Sequence, residues 1–319
     1  MQERKFDIGF AFFSYAGNGG ISAEHPSIRR WWSETAMWLK QQPSIGRIAE
    51  YDLCDTPITM TRNAAVVKAR SLKLDILVMI DSDQWPDRHV GRDPYAKPFV
   101  PTSLAFILKR FDKGPVVIGA PYCGPPPHEN VYVFRWRDFE TDDPNPRCRL
   151  DQYSREEAAE RAGFEAVGAL PTGLTMWDMR CFDVFGPDAG GREWFYYEYN
   201  DKYCAKKDST EDVTATRDLS LAGIASLGYN PVFCNWDSWA GHMKSKCVEK
   251  PQLIYADQVS GMFRNAAQRG VQRGIHMVEV GADGEEGVPV AAGTVFPGTD
   301  SANGNGHAKP KKVKGRVKG

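Results

Sequence analysis

The chain has 319 residues, 42% of them hydrophobic and 25% charged, with a formal net charge of -1, which is ordinary for a soluble globular protein with a sizeable core. No stretch approaches the roughly 18–20 apolar residues that a membrane helix needs, and the N-terminus lacks the long apolar segment of a signal peptide. The seven cysteines are scattered without a CxxC pair, which argues against a disulfide framework or a structural zinc site. We therefore expect a cytoplasmic protein with no membrane partner.

Strand-like and helix-like segments alternate over the first 120 residues. The clearest strand is the run 75–80 (DILVMI), which is apolar on both faces, as expected for a central parallel strand covered by helices. The other predicted elements are a strand over 7–13, a helix over 28–39, a strand over 48–53, helices over 61–72 and 102–111, and a strand over 115–120. This order indicates an α/β fold with a doubly wound layer.

The rest of the chain departs from this simple alternation. Ser154 and Glu157 form a capping-box pattern that opens a short helix ending at Gly163. The later predicted elements are a strand over 174–177, a helix over 180–185, an aromatic loop over 194–203, a helix over 210–227, a strand over 231–234 and a helix over 251–268. Beyond Gly281 the segment is too poor in apolar residues to fold. We therefore predict one folded domain over 1–275 and a disordered linker and basic tail over 276–319.

Asp81 and Asp83 directly follow the clearest strand. In open α/β sheets ligands gather at the carboxyl ends of the strands. Two carboxylates two residues apart repel each other, and a hard divalent cation removes that repulsion and can be shared with phosphate oxygens. The alternative is that both acids are only a solvated strand end or a helix cap.

Four segments in order carry a further pattern: 61–65 (TRNAA), 77–86 (LVMIDSDQWP), 171–182 (PTGLTMWDMRCF), and 210–213 (TEDV) with LGY at 227–229 and GHMK at 241–244. Together, over about residues 6–245, they resemble the inverting glycosyltransferases of family 2 and their bacteriophage-type relatives. The resemblance implies a GT-A type, Rossmann-like, mostly parallel central sheet flanked by helices, with acceptor-side insertions. It also implies a nucleotide-sugar half over about 1–120 and an acceptor half over about 121–275. Departures at 177–178 and 214–215 leave the acceptor open.

The resemblance gives roles to individual residues around a divalent cation, Mn²⁺ or Mg²⁺. It implies that Asp83 binds this cation directly and that Asp81 contacts the ribose, or the cation through water. His242 matches a late histidine that completes the metal shell. Asp212 matches the catalytic base, with Glu211 beside it, and the dipole of its predicted helix favours the ionised form that a base needs. Both acids could instead be ordinary helix N-terminal residues.

The donor side of the implied site comprises Phe12, Arg62, Asn63 and Gly173. Each of the last three has a second interpretation. Arg62 could pair with a carboxylate of the core instead of the diphosphate, and Asn63 could cap its helix. Gly173 could be required for its backbone conformation instead of its closeness to the donor sugar.

The implied reaction is metal-dependent transfer of a sugar from a nucleoside diphosphate sugar, a UDP-sugar above others, to a hydroxyl group with inversion. One carboxylate takes the acceptor's proton while the metal stabilises the departing diphosphate. Two rivals stay open. A nucleotidyltransferase acting on sugar phosphates would carry a Gly-rich Lys/Arg signature after its first strand, but 14–20 (SYAGNGG) has glycine only. A carbohydrate- or nucleic-acid-binding module could keep the fold without turnover.

The aromatic loop and the tail suggest how an acceptor could be held. Trp194, Tyr196 and Tyr197 could form an acceptor platform because aromatic faces stack on sugar rings and bases. The alternative is a loop packed on the core. The basic tail at Lys309–Lys318 could bind DNA, in which case the acceptor could be a modified DNA base, flipped out to reach the site. The alternative for the tail is a solubilising segment.

Overall fold

A mixed β-sheet organises the chain. The computed structural model describes residues 4–14, 26–54, 57–124, 130–137, 150–199 and 207–243. Within them the sheet has seven strands. In spatial order these are β2 (Ile45–Leu53), β1 (Phe6–Phe13), β3 (Ile76–Asp81), β9 (Leu174–Asp178), β5 (Val117–Gly119), β12 (Val232–Asn235) and β8 (Phe164–Ala166).

The direction of the strands shows how the two parts of the chain share this sheet. β1 runs parallel to both β2 and β3, and β5 runs parallel to β12. β9 lies antiparallel between β3 and β5, and β8 lies antiparallel to β12 at the edge. Five of the seven strands therefore point the same way. A strand of the predicted acceptor half completes the centre of the sheet, so the two predicted halves are not separate sheets.

Helices cover both faces of the sheet. They are α1 (Pro26–Lys40), α2 (Ile58–Ser71), α3 (Phe99–Arg110), α4 (Arg155–Ala159), α5 (Cys181–Val184) and α6 (Glu211–Leu227). Apolar residues of α1 and α3 pack in one core cluster with Phe10 and Ile76, and those of α2, α5 and α6 pack in a second with Leu77 and Trp177. The alternation of Ile76 and Leu77 between the two clusters explains why β3 is apolar on both faces.

Three small antiparallel ribbons lie outside the main sheet. They are β4 (Gln84–Trp85) with β13 (Gly241–His242), β6 (Phe134–Trp136) with β7 (Leu150–Gln152), and β10 (Glu198–Tyr199) with β11 (Lys207–Ser209). The first of them directly follows β3. It brings residues 241–242 of the chain beside the Asp81–Asp83 segment.

The predicted elements up to residue 235 are confirmed, with bounds that shift by a few residues. α1 buries Ile28, Trp31, Thr35 and Leu39, at helical spacing. The Ser154–Glu157 capping box is present, although its helix ends at Ala159 instead of Gly163. The α/β class and the mostly parallel sheet are confirmed, although the antiparallel direction of β9 at the centre was not predicted. The predicted helix over 251–268, the domain boundary at 275 and the tail lie outside the described residues.

None of the helices in the described residues is both long and apolar enough to cross a membrane.

Candidate active site

The β4–β13 ribbon brings Asp83 and His242 together across 159 positions of sequence. His242 pairs with Gln84 in the ribbon, and the backbone N–H of Met243 donates to the Asp83 carbonyl at 2.7 Å. The His242 Nε2 atom consequently lies 3.2 Å from Asp83 Oδ2. The Asp83 side chain is 36% exposed, so a ligand could reach this pair.

The other ring nitrogen of His242 fixes the orientation of the imidazole. Nδ1 lies 2.8 Å from the carbonyl oxygen of Cys123, which can only accept, so Nδ1 carries the proton of this hydrogen bond. In a neutral ring Nε2 is then an acceptor that faces a carboxylate oxygen. Two acceptors are stable at this distance only when a proton or a cation is shared between them. A carbonyl that accepts from the distal nitrogen is also what orients histidine ligands in metal sites.

Asp81 has a different partner from Asp83. Arg62 Nη2 donates to both carboxylate oxygens of Asp81, at 3.0 and 2.9 Å, while its Nη1 donates to the Thr172 carbonyl at 3.1 Å. Burial raises the pKa of Asp81 to about 6, although Arg62 opposes this shift. Arg62 therefore pairs with a carboxylate of the site, and its predicted contact with a diphosphate remains a prediction.

Arg62 also links Asp81 to the start of α6. Its side chain is 3% exposed, and Nε lies 3.4 Å from Glu211 Oε1. Burial by itself lowers the pKa of Arg62, but Asp81 and Glu211 raise it further, so the guanidinium stays charged. Burial and the adjacent Asp212 raise the pKa of Glu211 to about 7.

Asp212 lies in the first turn of α6, as predicted, and is more exposed than Glu211. The Thr210 hydroxyl and the Val213 backbone N–H both donate to Asp212 Oδ1. Among the residues that the structure describes, none bonds to its Oδ2. Asp212 acts electrostatically on Arg62, Asp81 and Tyr122, so the predicted site residues Arg62, Asp81 and Asp212 form one group with Tyr122.

Gly173 marks a close approach between elements of the site. Its carbonyl accepts from the Asp81 backbone N–H at 2.8 Å. A Cβ atom there would lie 2.7 Å from Gln84 Nε2 and 2.8 Å from the Tyr122 hydroxyl, both closer than real Cβ atoms come. Its φ lies outside the left-handed region. A side chain at this position would therefore displace Gln84 and Tyr122, whereas the backbone conformation does not demand glycine.

Phe12 and Asn63 lie nearby with structural partners. Phe12 is buried in the core cluster that includes α1, where its ring meets Trp32 edge-on at 5.8 Å. Asn63 donates to the Phe195 carbonyl at 2.9 Å and accepts from the Phe195 N–H at 3.1 Å, so its amide holds the aromatic loop instead of capping its helix. Their predicted contacts with a donor remain predictions.

The described part of the aromatic loop, residues 194–199, packs largely on the core, which was the alternative to an acceptor platform. Trp194 is 7% exposed and donates from Nε1 to the Phe182 and Phe185 carbonyls. Tyr196 is 4% exposed, and its hydroxyl donates to Asp218 at 2.6 Å. Buried rings with bonded polar ends offer no face for stacking. Tyr197 is half-buried under the amine of Lys207.

Sequence reasoning missed three residues of this site. Gln84 and Thr172 each have a buried side-chain oxygen without a hydrogen-bond partner among the described residues. Burial raises the pKa of Tyr122 well above its ordinary value, and its ring lies 4.8 Å from that of His242. Gln84 and Thr172 flank predicted site residues, which was the available signal. Tyr122 begins the segment where the helix–strand alternation ends, and no local pattern marks it.

Within the described residues, two side chains are positioned to bind a metal ion. No set of three or more His, Cys, Asp or Glu side chains in the described part of the chain is arranged to hold a metal ion. Asp83 and His242 are the residues positioned for a cation, because Asp81 is bound by Arg62. Mg²⁺-type sites often have only one or two carboxylates and complete their shell with phosphate oxygens and water, so this pair fits such a cation.

Comparison with known proteins yields structures alone. No protein-family model and no curated protein matches the chain. Solved structures similar to it include A197 from STIV, at 11% identity and a TM-score of 0.44 over 75% of this chain and 86% of that one. GalNAc-T7 with UDP, GalNAc and Mn²⁺ matches at 10% identity and a TM-score of 0.37, over 82% of this chain and 48% of that one.

A third similar structure is the 4-diphosphocytidyl-2C-methyl-D-erythritol synthase of Anaerococcus prevotii. It matches at 10% identity and a TM-score of 0.30, over 83% of this chain and 96% of that one. At these identities and TM-scores, none of the similarities assigns an activity to this chain.

Proposed function

We propose that the chain is a divalent-cation-dependent transferase that moves a sugar from a nucleoside diphosphate sugar to a hydroxyl group. The observation that carries this proposal is the contact between His242 Nε2 and Asp83 Oδ2 at the end of the central strand. A cation shared by these two atoms would also coordinate phosphate oxygens. The placement beyond the carboxyl end of β3 agrees with where α/β sheets bind ligands.

Asp83 and His242 would hold the cation, and Mn²⁺ or Mg²⁺ suits a carboxylate and an imidazole. When bound, such an ion neutralises charge that develops on a leaving diphosphate. Arg62 neutralises Asp81 and so limits the negative charge that a diphosphate would meet. The Cys123 carbonyl orients the His242 ring.

Asp212 is the proposed base because its half-exposed carboxylate lies at the N-terminus of α6, where an acceptor hydroxyl could reach it. Its Oδ1 is fixed by Thr210 and Val213, which leaves Oδ2 to take a proton from an acceptor hydroxyl. Glu211 is buried and paired with Arg62, so its proposed role is to position that side chain. A single base of this kind favours inversion.

The proposed acceptor side is a pocket of about 850 Å³ that is lined in part by Cys123, Trp239 and Tyr95. It shares Cys123 with the Asp83–His242 pair. Tyr95 is largely exposed and Trp239 half-buried, so both rings could contact a sugar, unlike Trp194 and Tyr196. This volume is typical of ligand pockets.

The test is incubation of the protein with UDP-sugars and with sugar phosphates plus nucleoside triphosphates, each with Mn²⁺ and with EDTA. We expect cation-dependent release of UDP from one UDP-sugar, by transfer or slow hydrolysis. Pyrophosphate release from a triphosphate would identify the nucleotidyltransferase rival instead. Ligand-induced stabilisation without either product would indicate a binding module.

A modified DNA base is one acceptor that this proposal accommodates, through the tail Lys309–Lys318, which lies outside the described residues. Retardation of DNA in a gel should then be lost when residues 300–319 are deleted. Retardation that survives the deletion would remove the tail from this hypothesis.

A further inference from the structure

A second cleft, of about 860 Å³, lies beside the β4–β13 ribbon and is separate from the Asp83–His242 pair. Its walls are α1, the segment that follows the ribbon, and the first turn of α3. We call it the Trp–Arg cleft because Trp31, Trp38, Trp85, Arg30, Arg88 and Arg92 are among the residues that line it.

Asp87 joins the three walls of this cleft. Its Oδ2 accepts from Trp31 Nε1 of α1 at 2.8 Å, and its Oδ1 accepts from the Phe99 N–H that begins α3 at 2.7 Å. The backbone of Asp87 has a φ of 54°, in the left-handed region that aspartate tolerates. The walls are therefore preorganised, and both oxygens of this acid are already used within the protein.

The cleft carries more positive than negative charge. Of its two acids, Asp87 is bonded as described and Glu34 pairs with Arg30 at 3.0 Å. Arg88 and Arg92 have no carboxylate partner among the described residues. The first turns of α1 and α3 contain no acid, so an anion would not be repelled there.

Arg88 is the residue that points most specifically to an anionic ligand in the cleft. Its guanidinium lies 4.0 Å from the centre of the Trp85 ring, which fixes its plane. Its Nη1 is buried and has no hydrogen-bond partner within the described part of the chain. A buried donor without a partner is rare in native structures, and a ligand that accepts from it is a direct explanation. Phosphate oxygens are the strong acceptors that arginine forks bind.

We propose that the Trp–Arg cleft binds a phosphate monoester carried on a ring, with the phosphate at Arg88 and Arg92 and the ring against the tryptophans. Sugar phosphates and nucleoside monophosphates share this chemistry. The site is independent of the proposed transferase activity, because neither Asp83 nor His242 lines it. Trp85 pairs with Gly241 in the ribbon that holds His242, so the cleft and the active site adjoin the same ribbon.

The test measures tryptophan fluorescence and calorimetry with glucose 6-phosphate, UMP, inorganic phosphate and glucose. All titrations contain EDTA, which removes any cation from the Asp83–His242 pair. We expect glucose 6-phosphate or UMP, or both, to bind more tightly than inorganic phosphate, and glucose not to bind. Whichever of glucose 6-phosphate and UMP binds more tightly shows which kind of ring the cleft prefers. Equal binding of glucose and glucose 6-phosphate, or no binding by any phosphate, would overturn the proposal.

Arg88→Met should lower the affinity for the phosphate probe at least about tenfold, since a charge-assisted hydrogen bond is lost. Arg88→Lys should retain part of the affinity because it keeps the charge. The matched control is Arg110→Met, because Arg110 also has a buried unpartnered nitrogen and lies over the Phe233 ring at 5.2 Å but does not line the cleft. Equal affinities of Arg88→Met and Arg110→Met would refute the site. Asp83→Asn should bind the probe normally, which separates this result from any failure of the transferase proposal.

Discussion

Arg62 and Arg217 are equally buried arginines that differ in how completely their guanidinium nitrogens are hydrogen-bonded. Each is 2% exposed, belongs to a helix and lies between two carboxylates. Arg217 has hydrogen bonds from every guanidinium nitrogen, to Glu198, Asp218 and the Tyr196 hydroxyl. Arg62 has a buried Nε without a hydrogen bond, only the 3.4 Å ion pair with Glu211.

The difference between these two networks indicates what each one does. A saturated network supports the fold, since removing Glu198 or Asp218 leaves the buried Arg217 charge with fewer partners. An incompletely satisfied network with raised carboxyl pKa values, beside the carboxyl end of the central strand, is typical of a functional site. We call them the Arg217 network and the Arg62 network, and the following predictions separate them.

The largest expected effect is on activity. Asp83→Asn, next to the Arg62 network, should lower UDP-sugar turnover about 10³-fold because it removes a ligand of the proposed cation. Its free energy of unfolding should change little, since the side chain is 36% exposed. Asp218→Asn in the Arg217 network is the matched control, with lower stability and normal turnover per folded molecule. Near-normal turnover of Asp83→Asn would contradict the site assignment.

The next effect is on stability. Arg217→Met should lower the free energy of unfolding by about 3 kcal/mol, because the partly buried Glu198 and Asp218 would lose the charge that pairs with them. Urea denaturation measures this loss. Arg137→Met, which breaks an exposed pair with Asp151, should cost at most about 1 kcal/mol. Equal losses in the two variants would show that the Arg217 network does not support the fold.

A smaller effect concerns pH. Folding raises the pKa of Glu211 from 4.5 to about 7, so the ionisation of Glu211 opposes folding. The resulting loss of stability is absent below pH 4.5, increases as the pH rises, and is complete above about pH 7. Glu211→Gln should remove that slope and stabilise the protein by about 2 kcal/mol at pH 8. Unfolding curves across pH measure it.

Glu157 supplies a control of opposite sign for that measurement. Bonds from Ser154 and Arg135 lower the pKa of Glu157, so its contribution to stability is present at neutral pH and is lost as pH falls through its folded pKa. Glu157→Gln should therefore destabilise at pH 7. The same direction of change in both variants would contradict the assigned pKa shifts.

The smallest effect tests the aromatic loop. Tyr196→Phe removes the hydrogen bond to Asp218 and should cost about 1 kcal/mol of stability. KM values for donor and acceptor should not change, because the ring is buried. An acceptor KM that rises several-fold while the stability is unchanged would indicate that Tyr196 contacts the acceptor.

Much of the fold followed from local sequence. Apolar periodicity located β1, β3, α1 and α6 because each buries a continuous face, and α6 ends at Gly228 in the left-handed conformation that glycine favours. The antiparallel placement of β9 was not predictable, since a five-residue apolar strand carries no information on its neighbours or its direction. The bounds of α4 also shifted, since tertiary contacts and not the capping box decide where a helix of five residues ends.

The parts of the site that lie in recognisable motifs were predictable from the sequence. Asp83 and His242 were paired by resemblance, and their contact across 159 positions is what the structure contains. The partners of Arg62 and Asn63 depended on long-range packing, so two interpretations stayed open until the structure was known. The role of the aromatic loop was left open for a different reason: aromatic rings suited to sugars are equally suited to a core.

The central position of β9 has a consequence for synthesis of the protein. A nascent chain that has emerged only to residue 120 already contains β3 and β5, but the strand that joins them comes some fifty positions later. Until then both strands expose unpaired edges, which attract other chains. Truncation before β9 should therefore give insoluble material, and folding should wait until the ribosome has released Leu174–Asp178.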